Sequence, residues 1–272
     1  MSNQLMLIIV PWAAAFMAGT QAGRVGNYQG KHLDKAQIRR LLTKGIKPHR
    51  SELPPLPTVG TRLDNHPMCD EFKEAERVHL ASHHQMKSWI EIQQRPIKQA
   101  GHQILDCMWV YTYKLNKHNQ FLKCKARLVV RGDQQQNITM QDTYAATLAS
   151  HSFRILMAIA AKYDLELKQY DVANAFVHAP LDREVYMKMP VGYQRKGTIL
   201  KLQKALYGLR IAPKLWQREF TTTLESLSFT TVPHEPCCVI KDGIMIFFYV
   251  DDIIVAYHKN KEVVVTEVVN LL

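Results

Sequence analysis

Cysteine is sparse in this chain and poorly spaced for chemistry. Five residues (Cys69, Cys107, Cys124, Cys237 and Cys238) are scattered through 272 positions without a CxxC pair. That argues against a zinc ribbon or disulfide scaffold and favours reduced thiols inside a cell, in cytoplasm or nucleus. Long apolar runs are also missing. The stretch Leu5 to Ala18 is interrupted by Pro11, and it falls short of the ~18 residues that a membrane span requires. No Lys or Arg precedes Arg24, so the basic lead-in of a secretory signal is absent. A secreted or membrane-tethered protein led by this run would need paired cysteines and a processed N-terminus, so no membrane partner is expected. Internal repeats and low-complexity tracts are absent too.

The chain does have enough apolar material for a core. Hydrophobic residues make up 47% and charged residues 22%, which excludes wholesale disorder. The formal charge of +11 points toward a polyanionic partner. Residues 1–64 hold nine Lys or Arg against three acids, which leaves only +5 for the remaining 208 residues. Global charge is therefore weak evidence here.

Composition divides the chain in three. Residues 1–42 form an N-terminal extension with the apolar run and a short basic helix near Leu33 to Leu42. Residues 43–66 form a linker, where closely spaced prolines (Pro48, Pro54, Pro55, Pro57, then Pro67) remove helix and strand options. Residues 67–272 form the main body. It opens with a helix whose apolar positions Met68, Phe72, Ala75, Met86 and Trp89 recur at helical spacing. Cys107–Leu115 and Phe121–Arg131 read as a hairpin around NKHNQ, with Lys123, Lys125, Arg127 and Arg131 sharing one face by period two. A helix follows, opened by Ser150 or Ser152. Next come strands at Leu165–Val172, in LDREVYMKM and at Leu200–Leu202, then a helix over Ala212–Leu227 and two apolar strands in Ile244–Tyr257. Helices and strands mix without a βαβ rhythm, so the expected class is α+β.

Within GIMIFFYVDDIIVAY the only charged residues are the adjacent acids Asp251 and Asp252. Two carboxylates held together between apolar strands repel, unless a hard cation such as Mg²⁺ offsets the repulsion or the turn faces water. Asp171, at the end of the alternating strand LELKQYDV, is a third acid that could complete a two-metal site; a strand-end cap is the simpler alternative. His79 and His83, four apart on a helix beside His84, lack a completing ligand and read as a solvated face. Cys237 and Cys238 read as packing residues.

From about His66 to Leu272 the chain resembles the reverse transcriptase of copia-type long-terminal-repeat retrotransposons, a part of a larger Pol polyprotein. The resemblance rests on an ordered series: WVYTYKL, KARLVVRG, YAATLASHSFRILMAIAAKYDLELKQYDVANAF, LDREVYMKMPVGY, LQKALYGLRIAPKLW and FFYVDDIIVA. It implies right-hand polymerase fingers and palm, with chain end Leu272 falling before the thumb. It also implies RNA-directed DNA polymerase activity, a nucleotidyl transfer using two Mg²⁺ ions, with Mn²⁺ as an alternative. The implied partners are an RNA or DNA template with its primer, and deoxynucleoside triphosphates. Residue by residue, Asp171, Asp251 and Asp252 match the catalytic aspartates, and Val172 would lend a metal its carbonyl. Phe176 matches the gate against a ribose 2′-hydroxyl. Lys125 and Arg127 match the basic strand that holds the triphosphate, while Tyr207 and Gly208 match a segment near nucleotide and template. The chain departs from the family pattern at Ile211, usually glutamine, and at His178-Ala179, usually Asn-Gly; both departures fit a decayed copy. The rival reading is therefore a catalytically inert retrotransposon relic with at most nucleic-acid binding.

Overall fold

A computed structural model of the protein describes residues 32–57, 60–146 and 148–272. The apolar run Leu5 to Ala18 lies outside the described residues. Helix α1 (Lys35–Thr43) starts at a capping box, in which Asp34 accepts from the Gln37 N–H at 2.8 Å and Gln37 returns the bond at 2.9 Å. Among its described residues the proline-rich stretch that follows forms short 3₁₀ turns, Arg50–Glu52 and Gly60–Asn65, and it is fastened to the body. Leu53 is fully buried, Phe121 donates to the Pro48 carbonyl, and the Tyr113 hydroxyl reaches the Pro54 carbonyl at 3.2 Å.

Helix α2 (Cys69–Gln85) lies against one face of the antiparallel hairpin β3 (Cys107–Leu115) and β4 (Phe121–Val130). Period two sorts that hairpin. Trp109, Tyr111, Tyr113, Cys124, Ala126 and Leu128 turn inward, and Phe72 meets the Tyr111 ring edge-on at 5.0 Å. Trp89, expected on the helix, instead opens strand β1 (Trp89–Gln93), because the helix stops at Met86 and Lys87 turns the chain at φ +51°. Past the short helix α3 (Gln94–Gln99), β1 joins β2 (Ile104–Leu105), β6 (Tyr186–Lys188) and β7 (Thr198–Leu202) in a sheet of order β1-β7-β6-β2.

The largest sheet carries the acids. Its order is β5 (Glu166–Asp171), β11 (Asp252–Tyr257), β10 (Ile244–Tyr249), β9 (Glu235–Lys241) and β8 (Thr230–Val232), antiparallel throughout. The one-turn helix α4 (Met140–Thr143) precedes α5 (Ser150–Lys162). Neither Ser150 nor Ser152 caps α5. Ala149 takes the cap position without a side-chain bond, and burial of Phe153, Leu156 and Met157 supplies the support instead. Helix α6 (Ala212–Ser226) packs on β10 through Phe220, whose ring meets Phe248 at 5.0 Å, and α7 (Glu262–Leu271) seats Val265 in the core. One buried apolar cluster runs through the three sheets and the longer helices, and the mixed architecture is α+β, as the sequence implied.

Candidate active site

Strands β10 and β11 are joined by only two residues, Val250 and Asp251, with Tyr249 and Asp252 paired across the turn. A turn this tight needs a positive φ, and Val250 supplies it at +57°. For a β-branched residue this conformation is a true outlier and costs of order 1–3 kcal/mol. Two bonds hold it there. The Trp216 indole N–H donates to the Val250 carbonyl at 2.6 Å, and the Val172 N–H donates to the Asp251 carbonyl at 2.9 Å. The latter bond extends the β5–β11 ladder, in which Asp171 stands opposite Asp252. Antiparallel pairing thus brings acids eighty residues apart in sequence to one sheet end.

Asp171 is exposed and the two turn acids are half-buried, so the hairpin is less enclosed than its apolar flanks suggest. The Asp252 carboxyl is held above the usual carboxylate range. Burial is the largest cause, Asp251 and Asp171 add to it, and a hydrogen bond from Gln169 at 3.2 Å opposes it. Carboxylates and peptide carbonyls are the hard oxygen donors that Mg²⁺ takes, and a cation would relieve the repulsion on Asp252. The residues fit such an ion in donor chemistry and backbone placement. Among the described residues, however, no three acidic, histidine or cysteine side chains converge closely enough to hold one ion.

The other predicted site residues gather beside these acids. Lys125 and Arg127 lie on the outward face of β4, opposite Thr112 and Val110 of β3. Arg131, expected on the same face, has left the strand and pairs with Asp133 at 2.6 Å. Burial pushes the Lys125 ammonium down, Arg127 and Lys114 push it further, and the field of Asp171 pulls it back up. The Arg127 guanidinium sits 5.6 Å from the Tyr207 ring centre, and Tyr207 in turn meets the buried Phe176 edge-on at 4.6 Å. The Tyr207 hydroxyl is raised chiefly by burial and next by Asp251.

Gly208 locks this floor to the hairpin. Its φ is +94°, and any Cβ there would run into the Val130 carbonyl, while the Tyr207 carbonyl accepts from the Val130 N–H at 2.8 Å. Only glycine allows that approach.

Both departures from the family pattern are accommodated in the fold. The positive φ near His178-Ala179 belongs to Asn174, at +55°, and Ala179 has an ordinary extended backbone, so no Asn-Gly turn is required there. Ile211 is buried at the start of α6. The histidines are not a solvated face. His79 accepts from the Leu128 N–H at 3.0 Å, His83 bonds Ser88 Oγ at 2.8 Å, and both rings pack on tryptophans. Their place on α2's inward face buries them. Cys237 and Cys238 are buried and free. Sequence reasoning missed Trp216 and Gln169. Gln169 could have been found by period two from Asp171, whereas the reach of Trp216 to the turn depends on tertiary packing.

A family model described as reverse transcriptase (RNA-dependent DNA polymerase) matches residues 91–268. The chain is 34% identical over 164 residues to the retrovirus-related Pol polyprotein from transposon TNT 1-94 of Nicotiana tabacum, covering 57% of this chain and 12% of that relative. It is also 34% identical over 160 residues to the Pol polyproteins from transposons RE2 and RE1 of Arabidopsis thaliana, covering 56% of this chain and 11% of each relative. These matches bear out the copia-type resemblance, and they span a small part of each relative's length. With the family model covering well over half of its residues, this chain belongs to the reverse transcriptase family.

Proposed function

We propose that residues 67–272 are the fingers and most of the palm of an RNA-directed DNA polymerase, preceded by a linker over residues 43–66 and an extension over residues 1–42. The reaction is nucleotidyl transfer. A primer 3′ oxygen attacks the α-phosphorus of a deoxynucleoside triphosphate and a new P–O ester bond forms. The bond to the bridging oxygen breaks, pyrophosphate leaves with that electron pair, and the hydroxyl proton passes to solvent. Asp171, Asp251, Asp252 and the Val172 carbonyl would hold two Mg²⁺ ions, which lower the hydroxyl pKa and stabilise the leaving oxygen when bound. Lys125 and Arg127 neutralise the triphosphate. Phe176 stands against the sugar to exclude a 2′-hydroxyl, and Tyr207 with Gly208 forms the floor beneath nucleotide and template.

The observation that carries this reading is the pairing of Asp171 with Asp252 across β5 and β11, beside a turn held at Val250 φ +57°. The alternative is an inert relic that at most binds nucleic acid. It is favoured by the failure of the described acidic side chains to converge on one ion position. Mg²⁺-dependent extension of a primed RNA template, with an Asp251→Asn, Asp252→Asn double mutant beside the parent, decides between them. Incorporation by the parent alone supports the polymerase. No incorporation by a folded parent sinks autonomous activity and leaves the relic.

A further inference from the structure

The outward face of the β3–β4 hairpin is unusual in its charge. Arg127, Lys125 and Lys123 follow one another at every second position of β4, roughly 6–7 Å apart. Lys123 is paired directly with Lys114 of β3. Like charges placed opposite each other in a sheet are destabilising, and Lys114 adds to the fields pushing Lys125 down. Among the described residues, no carboxylate forms an ion pair with any of these four cations. The row begins beside the acids, where Lys125 feels the field of Asp171, and runs outward to the exposed Lys114 and Lys123.

We propose that the cross-strand pair Lys114–Lys123 is a binding site for inorganic pyrophosphate, receiving the leaving group as it moves from Lys125 and Arg127 toward solvent. This rests on the polymerase reading for its role, but not for its ligand chemistry. A phosphate ligand fits this face better than a nucleic-acid strand does. Surfaces that track single strands interleave cations with aromatic rings for the bases to stack on. The outward neighbours on the hairpin, Thr112 and Val110, offer none beside Lys114 and Lys123, since period two turns Trp109, Tyr111 and Tyr113 to the core, and the Tyr207 ring stands at the far end of the row, against Arg127.

The test is calorimetric titration of the full chain with sodium pyrophosphate at low ionic strength and without divalent metal. It compares the parent, Lys114→Gln with Lys123→Gln, the conservative Lys114→Arg with Lys123→Arg, and Asp251→Asn with Asp252→Asn. The glutamine and arginine substitutions both fall at exposed positions, and circular dichroism verifies the fold of each protein. The expected result is about tenfold weaker binding in the glutamine variant, with rescue by arginine and retention in the asparagine variant. Retained binding with a silent polymerase assay would separate this site from the failure of the catalytic reading. Equal pyrophosphate affinity in the parent and the glutamine variant would overturn the proposal. So would a loss confined to a single-stranded oligodeoxynucleotide titrated in parallel, which would make the face a strand-binding surface.

Discussion

Two hairpins of the molecule, β3–β4 and β10–β11, treat their turns in opposite ways. In β3–β4 the positive φ falls on Asn119, at +57°, and Asn116 folds its side chain back to accept from the His118 and Gln120 N–H groups at 2.9 Å each. Asparagine tolerates that conformation and makes such local bonds. In β10–β11 the same φ of +57° falls on Val250, beside two acids. A valine there persists only where its surroundings over-determine it, as Trp216 and Val172 do. One hairpin follows the local rules and forms core. The other breaks them at the spot where the acids meet, and local rules fail chiefly at functional sites.

The comparison breaks first if the obedient hairpin does not supply the stability. Phe72 is fully buried between α2 and that hairpin, so Phe72→Ala should cost about 4 kcal/mol in urea unfolding. A loss below ~1 kcal/mol would mean that the hairpin is not core. Acid should act on the same region. Burial lowers His79 to about 3 and His83 to about 4, with like charge from neighbouring groups adding to both. The unfolded chain takes up these protons near pH 6.5 while the fold refuses them. Stability is therefore intact above about 6.5 and falls as pH drops toward 4, by about 3 kcal/mol for each histidine. A His83→Asn variant should lose visibly less over that window, and identical pH profiles would refute the assignment.

Much of this was legible in the sequence, and the reasons differ by region. Both hairpins are visible as paired aromatic, β-branched or apolar runs around a short polar or acidic interruption, because strand composition and turn chemistry are local. The three aspartates were legible individually, yet their juxtaposition depends on β5 pairing with β11, a long-range contact that no local pattern encodes. Trp89 looked helical because its spacing continued that of α2, until Lys87 ended the helix. The buried histidines were misread because their neighbours on α2 are charged. Only the hairpin packed against that face reveals that it points inward.

The joint between the two regions is the next place to press. Gly208→Ala forces a side chain into the Val130 carbonyl at φ +94°, which should cost about 2 kcal/mol and detach the floor under Arg127. Thermal unfolding at the parent's midpoint would refute the contact. Smaller, and opposite in sign, is Asp252→Asn. The Asp252 pKa is raised in the fold, mainly by burial, so its carboxylate opposes folding at every pH above its folded pKa. The amide should therefore raise the midpoint at neutral pH while abolishing incorporation, the trade expected where a site is strained for function. A lower midpoint would mean that the carboxylate is structural.

The smallest expected effect is the most discriminating. Val250→Gly removes the strain of a β-branched residue at positive φ, worth about 1 kcal/mol, but it also frees the unfolded backbone by a comparable amount. The unfolding free energy should consequently stay within ~0.5 kcal/mol of the parent. Asn119→Gly, at the same φ in the other hairpin, has little strain to release and should lose the ~0.5–1 kcal/mol that a freer unfolded backbone costs. Polymerase activity separates the two. If the Val250 turn is held rigid to aim Asp251 and Asp252, glycine at position 250 lowers incorporation several-fold without lowering stability, whereas glycine at position 119 leaves incorporation unchanged. Equal activity in all three proteins would reduce the strained turn to an accident of packing.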